Sequence, residues 1–264
     1  MSIITQKQGA LEYLTAEGIS VPHAFTTRLG GVSQGDFASL NLGMHRGDAP
    51  ENVEKNWRIL SEAIGFSLQN LVLPRQTHSD IVRQVTKLDA MGLDHHLYPE
   101  CDALITCDPG TALGIFTADC TPLLFHDPVT GAVGAAHAGW RGTAAAIGAK
   151  TVEAMVAAYG CRREDLRAAI GPNIGACCFE TDGEVPEAMV KTYGAAAEKY
   201  IRKVGQKYYV NLKEINALSL RAVGVTHVEI SEDCTACQSH RFWSHRVTQG
   251  RRGSQGAVIL CGEG

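Results

Sequence analysis

Four short apolar runs dominate the middle of the chain: Ala103–Thr106, Ala112–Thr117, Thr121–His126 and Ala132–His137. Turn residues separate them, which predicts strands with at least one hairpin. Further strand-like runs occur at His23–Thr26, Leu71–Leu73, Ile81–Val85, Leu166–Ile170, His227–Ile230 and Ala257–Leu260. Between them the period changes. Pro50 opens a segment with Val53, Trp57, Leu60 and Ile64 on one helical face and Gly65 as its stop. Helices are also expected over 143–159, 184–193 and 212–223. Consecutive strands with few interspersed helices predict an α+β fold rather than a βαβ repeat. No internal repeat or Pro/Ser-rich linker is present, so the expectation is a single domain over 1–264. Its core is a mixed, largely antiparallel β-sheet flanked by helices, closed by the strands at 227 and 257.

Composition narrows the function. The 264 residues are 45% hydrophobic and carry a net charge of −4. Nucleic-acid binding runs on excess Lys and Arg, so no nucleic-acid partner is expected. No stretch reaches the roughly 18 apolar residues of a membrane span, and residues 1–10 lack a signal-like apolar run. A cytoplasmic protein without a membrane partner is expected. Its nine cysteines should then be reduced, available for metal binding or catalysis rather than disulfides.

The third and fourth runs form a candidate metal site. If Asp127-Pro-Val-Thr130 is a four-residue loop, His126 pairs with Gly131. Carrying that register back sets Cys120 directly opposite His137, on one face of an antiparallel ladder. A thiolate and an imidazole so placed can share one ion. His78, in the polar segment Arg75-Gln-Thr-His-Ser, is the foremost third ligand. His45, His95, His96, His126, His227, His240 and His245 are equally possible on spacing alone. Three protein ligands with an open position is the pattern of catalytic zinc. Asp119 should face away from Cys120 on a regular strand, as a structural residue or at a bend.

The segments Thr27–Ser33, Ser39–Gly43, Arg75–Ser79, Cys101–Thr106, Ala118-Asp-Cys-Thr-Pro-Leu-Leu, Ala136-His-Ala-Gly-Trp-Arg-Gly-Thr, Ile170–Gly175 and Phe242–Arg246 occur in this order. Together they resemble the laccase-domain purine nucleoside phosphorylases, earlier described as multicopper polyphenol oxidases, over roughly residues 20 to 262. The resemblance implies an α+β single domain and a zinc ion bound by His78, Cys120 and His137. It implies phosphorolysis of adenosine, inosine and methylthioadenosine, with purine nucleoside and phosphate as partners, and deamination of adenosine. Some members have been linked to editing of peptidoglycan precursors, and their Cys/His arrangement resembles that of deamidating toxins. One departure stands out: many members carry Ser-Tyr-Arg-Arg where this chain has Ser244-His-Arg-Val, so Arg251 or Arg252 would have to compensate.

Phosphorolysis needs an anion pocket, and the planar guanidinium fork suits phosphate. Arg75, Arg141 and Arg246 are the candidates, then Arg28. Arg141 leads because it follows His137 in a tight turn. Asn41 is a further substrate-binding candidate. Asp102 or Asp119 could handle the proton, or cap a turn. For deamination, zinc would lower the pKa of a bound water. The Pro-Cys-x-x-Cys signature of nucleobase deaminases is absent, so any deaminase here is of another design. Multicopper chemistry is disfavoured, since there is no His-x-His pair; copper substituting at the zinc site would give phenol oxidation as a side activity. Cys234-Thr-Ala-Cys237 and Cys177-Cys178 read as reduced structural cysteines rather than a second metal motif. Two other classes compete. One is a metal-independent hydrolase or amidase, with Cys120 as nucleophile and His137 as its base. The other is a non-enzymatic binding module.

Overall fold

A computed structural model describes residues 2–262, with all side chains except that of His95. The elements run β1 (Ile3–Gln8), β2 (Leu11–Ala16), β3 (His23–Thr26), α1 (Pro50–Ile64), β4 (Leu71–Val72), β5 (Val82–Gln84), β6 (Ala103–Thr106), β7 (Ala112–Thr117), β8 (Thr121–His126) and β9 (Val133–Ala138). They continue with α2 (Trp140–Ala144), α3 (Ile147–Tyr159), β10 (Arg167–Ile170), β11 (Glu180–Thr181), α4 (Glu184–Tyr193), α5 (Ala195–Glu198), β12 (Ile201–Val204) and β13 (Lys207–Val210). The chain closes with α6 (Leu212–Ala222), β14 (His227–Ile230), α7 (His245–Thr248) and β15 (Gln255–Leu260).

The α+β class holds, but the core is two stacked sheets rather than one. The first has the order β1-β2-β3-β15-β7-β4 and the second β14-β10-β8-β9-β6-β5. A small third sheet, β11-β13-β12, stands apart. Only the β4/β7, β5/β6 and β10/β14 pairings among those described are parallel. The strands at 227 and 257 thus belong to different sheets. Phe25, Ile115 and Ile259 of the first sheet meet Leu104, Leu124 and Ala135 of the second in a buried cluster. The outer face of the first sheet packs on Trp57 and Leu60 of α1. The outer face of the second packs on Val152 and Met155 of α3 and Leu220 of α6. With both faces covered, the central strands read as continuous apolar runs instead of alternating ones.

Several local expectations are corrected. The 143–159 helix is two helices, broken at Ala146, whose φ is +57°. The β1–β2 and β12–β13 hairpins have no clear pattern in the sequence, since the exposed strands β1 (IITQKQ) and β12 (IRKV) lack regular apolar/polar alternation. In the central hairpin His126 pairs with Val133 and Pro122 with His137. Cys120 therefore does not face His137 across the ladder but precedes β8. The turn is longer than four residues because the Asp127 carboxylate accepts the amide of Val129 and the Asp127 carbonyl accepts that of Gly131. The two-residue shift keeps strand parity, so His137 still points to the expected side. Among the described residues no helix is long and apolar enough to cross a membrane.

Candidate metal centre and cleft

His78, Cys120 and His137 converge. Their ligand atoms all lie within 4.8 Å of one another, with Sγ of Cys120 3.9 Å from Nε2 of His78. The two imidazole rings meet edge to face, 4.9 Å apart. His137 arrives on β9 and Cys120 from the bend before β8. His78 comes from the segment joining β4 to β5, with φ +61°. Gly139, just after β9, allows the approach: a Cβ there would lie 2.8 Å from Cδ2 of His78 and 3.3 Å from Sγ of Cys120. Of the other histidines considered, none joins this group among the described side chains; that of His95 lies outside them.

One buried carboxylate organises two of the ligands. Asp102 accepts the amide N–H groups of Thr77, His78 and Ser79 at 3.1, 3.2 and 2.6 Å, and the Ser79 hydroxyl at 2.7 Å. Its Oδ1 also sits 2.7 Å from Nδ1 of His137. That bond commits Nδ1 and leaves Nε2 of His137 for the centre. Burial opposes the Asp102 charge, but the His137 and Ser79 hydrogen bonds outweigh it and hold the acid at about 2. Asp102 is thus placed to orient ligands rather than to donate a proton.

The thiol and the imidazole each favour the other's charged form. Burial raises the Cys120 pKa, but His137 and then His78 overcome it and bring the thiol down to about 6. Burial likewise lowers that of His137, yet the Cys120 thiolate and Asp102 lift it to about 9. Two imidazoles and a ready thiolate are a fitting donor set for zinc.

Asp119 sits at the bend that releases Cys120 from the strand, with φ +82°. Its carboxylate accepts the hydroxyls of Thr235 and Ser244 and the amide of Arg246 at 2.6, 3.1 and 2.7 Å. These bonds fasten the C-terminal segment behind the centre and leave little of the carboxylate for proton transfer. The chain's His-x-Glu triplet, His227-Val-Glu229, lies on β14, where Glu229 accepts the amides of Glu17 and Gly18. It takes no part in the centre.

The three ligands open onto a cleft of about 210 Å³, also lined by Met44, Arg46, Arg75, Phe116 and Arg252. Arg75 is the one expected substrate-binding residue on this wall; on its outer side it pairs with Glu100 at 3.4 Å. The others are spent elsewhere. Arg28 donates to the carbonyls of Ala38 and Ser239 and stacks 3.8 Å above Trp243. Arg141 is exposed and lies over Trp140. Arg246 holds the carbonyls of Cys178 and Glu180. Asn41 is fully buried, accepting the amides of Gly43 and Ser254. It builds the cleft wall without facing the cavity.

Arg252 takes the place given to Arg141. It is 9% exposed, and its Nε is buried without a hydrogen-bond partner. Burial, and then the neighbouring Arg46, lower its pKa to about 10. A buried guanidinium with an unused donor beside a second one has the charge and donor geometry that suit an anion. The Arg251-Arg252 pair after the Ser244–Val247 departure was the sequence signal for it; Arg46 had none.

The four remaining cysteines of interest do not pack separately. The sulfurs of Cys177, Cys178, Cys234 and Cys237 also lie within 4.8 Å of one another.

The chain matches the family described as multi-copper polyphenol oxidoreductase laccase over residues 22–262. It is 41% identical over 251 residues to the purine nucleoside phosphorylase of Deinococcus radiodurans, covering 94% of this chain and 92% of that one. It is 39% identical over 240 residues to purine nucleoside phosphorylase YlmD of Geobacillus stearothermophilus, covering 89% and 88%. The crystal structure of YlmD from Geobacillus stearothermophilus superposes with a TM-score of 0.92 at 36% identity, covering 99% of this chain and 100% of that one.

Proposed function

Because the chain belongs to the multi-copper polyphenol oxidoreductase laccase family, we propose that it is a cytoplasmic, zinc-dependent purine nucleoside phosphorylase. Its substrates are adenosine, inosine and methylthioadenosine with phosphate, and it also deaminates adenosine. The names of its relatives support the phosphorylase reading. The observation that carries it is the convergence of His78, Cys120 and His137 on a cleft also lined by Arg252, whose buried Nε has no hydrogen-bond partner.

Zinc, which His78, Cys120 and His137 would hold, would supply a Lewis acid. The chain's own residues supply binding and orientation. In phosphorolysis a phosphate oxygen bonds to C1′ of the ribose as the C1′–N9 bond breaks, and the electron pair leaves with the base, which takes up the proton that hydrogen phosphate gives up. Arg252, with Arg46 and Arg75 alongside, holds the phosphate and offsets its charge. Fixing the phosphate beside the sugar converts an encounter into a positioned reaction. Met44 and Phe116 offer apolar contact to the base. Asp102 keeps His137 in one tautomer throughout. In deamination, oxygen from water replaces the amino group at C6 and ammonia leaves.

A second reading rests on the Asp102–His137–Cys120 chain, which has the order of an orienting acid, a base and a thiolate nucleophile. It would make the protein a metal-independent hydrolase or amidase, for instance on peptidoglycan precursors. Copper in place of zinc would add phenol oxidation as a side activity. Adenosine and phosphate given to zinc-loaded protein decide between these readings. Adenine with ribose 1-phosphate is the expected product and inosine the second. Neither product, together with an acyl adduct on Cys120 in metal-free protein, would favour the amidase.

A further inference from the structure

Behind the candidate centre, two turns bring four thiols together. Cys177 and Cys178 lie between β10 and β11, and Cys234 and Cys237 follow β14. Sγ of Cys237 is 3.5 Å from that of Cys177 and 3.4 Å from that of Cys178. All nine cysteines are free thiols, and these separations far exceed the ~2.05 Å of a disulfide. Four sulfurs about 2.3 Å from one central ion stand about 3.8 Å apart at the corners of a tetrahedron. The two short separations fall a few tenths of an ångström inside that spacing, and all four sulfurs lie within 4.8 Å of one another. An iron–sulfur cluster, with several metal atoms between its thiolates, would hold them farther apart.

Backbone donors gather round one of the four sulfurs. The amide of Gly175 donates to Sγ of Cys234 at 3.1 Å. The amides of Cys237 and Ala236 bear on the same sulfur. Lys213, 6% exposed, donates to the carbonyls of Ser231 and Asp233 just before Cys234. Its ammonium offsets negative charge on the thiolates. Gly175 leaves the space: a Cβ there would lie 3.2 Å from Sγ of Cys177.

The same turns grip the bend that carries Cys120. The amide of Ile174 donates to the Asp119 carbonyl, and the Thr235 hydroxyl to the Asp119 carboxylate. Asn173 reaches the Thr121 hydroxyl at 2.6 Å. We propose that Cys177, Cys178, Cys234 and Cys237 bind one structural zinc ion, which locks the 173–178 and 234–237 turns together behind Cys120. The proposal is independent of which reaction the cleft performs.

Metal analysis of reduced protein produced with added zinc should find about two ions per chain, of distinct dependence. Cys120→Ala should keep one, and Cys177→Ser or Cys237→Ser should keep the other; both serines replace exposed residues. Cobalt titration of the unaltered protein needs no variant. Its thiolate-to-cobalt absorption should correspond to about five thiolate ligands per chain, four from this cluster and one from Cys120. Unchanged zinc content in both serine variants, cobalt absorption of a one-thiolate site alone, or a disulfide among the four cysteines would overturn the proposal.

Discussion

The Asp102 carboxylate grips Nδ1 of His137 at 2.7 Å while holding the backbone of His78 by its amide. One side chain thereby sets the orientation of two ligands that are far apart in the chain. Removing its charge should loosen both. Asp102→Asn is expected to weaken zinc binding about 10- to 100-fold, the usual effect of losing a carboxylate behind a metal-bound histidine. A competition titration with a chromophoric chelator measures this, and unchanged affinity would refute the role.

Gly139→Ala probes the close approach of backbone to the centre. Its φ of −63° is ordinary for any residue, so the methyl group carries no backbone strain. It would press on the His78 ring and the Cys120 sulfur. Loss of at least tenfold in zinc affinity is expected, with thermal stability of the metal-free protein nearly unchanged.

Arg252→Gln should raise KM for phosphate by about tenfold or more, since a charged hydrogen bond contributes roughly 1.5–3 kcal/mol. Zinc content should stay at the wild-type value. Steady-state kinetics at fixed adenosine separates the two effects. An unaltered phosphate KM would remove Arg252 from the anion site.

Arg28 and Arg141 should behave oppositely to their prominence in the motifs. Arg28→Ala leaves the carbonyls of Ala38 and Ser239 and the face of Trp243 without their partner. A loss of about 1–3 kcal/mol is expected in urea unfolding. Arg141→Ala alters an exposed side chain and should stay within about 0.5 kcal/mol.

His23 makes stability depend on pH. Its Nε2 accepts the Ala16 amide at 2.8 Å and its Nδ1 lies 2.8 Å from the Val21 carbonyl, so the folded state holds the neutral ring. Burial lowers its pKa below that of the unfolded chain, against the Val21 hydrogen bond. The unfolded state then takes the proton first. Stability is full above about pH 6.5 and falls as the pH drops, by at most about 1.4 kcal/mol per unit for this group. Urea midpoints between about pH 5 and 7.5 should decline less steeply in His23→Gln. Identical slopes would exclude His23 as a source.

Much of the architecture could be read from short-range patterns. The β6–β9 strands and α1 with its Gly65 stop follow from residue periods of about two and 3.6, which are local properties. The central hairpin shows where such reading ends. Proline and glycine announced the turn, yet the hydrogen bonds of Asp127 set its length and displaced the register. Likewise, Arg28, Arg141 and Arg246 stood in conspicuous motifs, but nearby carbonyls and rings engage them.

Sequence by itself determined the α+β class and most central strands, because alternation and turn chemistry act between near neighbours. Tertiary structure decided which distant groups meet. Cys120 is 42 residues from His78, and Cys177 is 60 from Cys237. Asp102 likewise joins residues 77–79 to His137, and Arg252 folds back onto a cleft begun at Gly43. Such encounters arise from sheet stacking and loop closure, which no local spacing encodes.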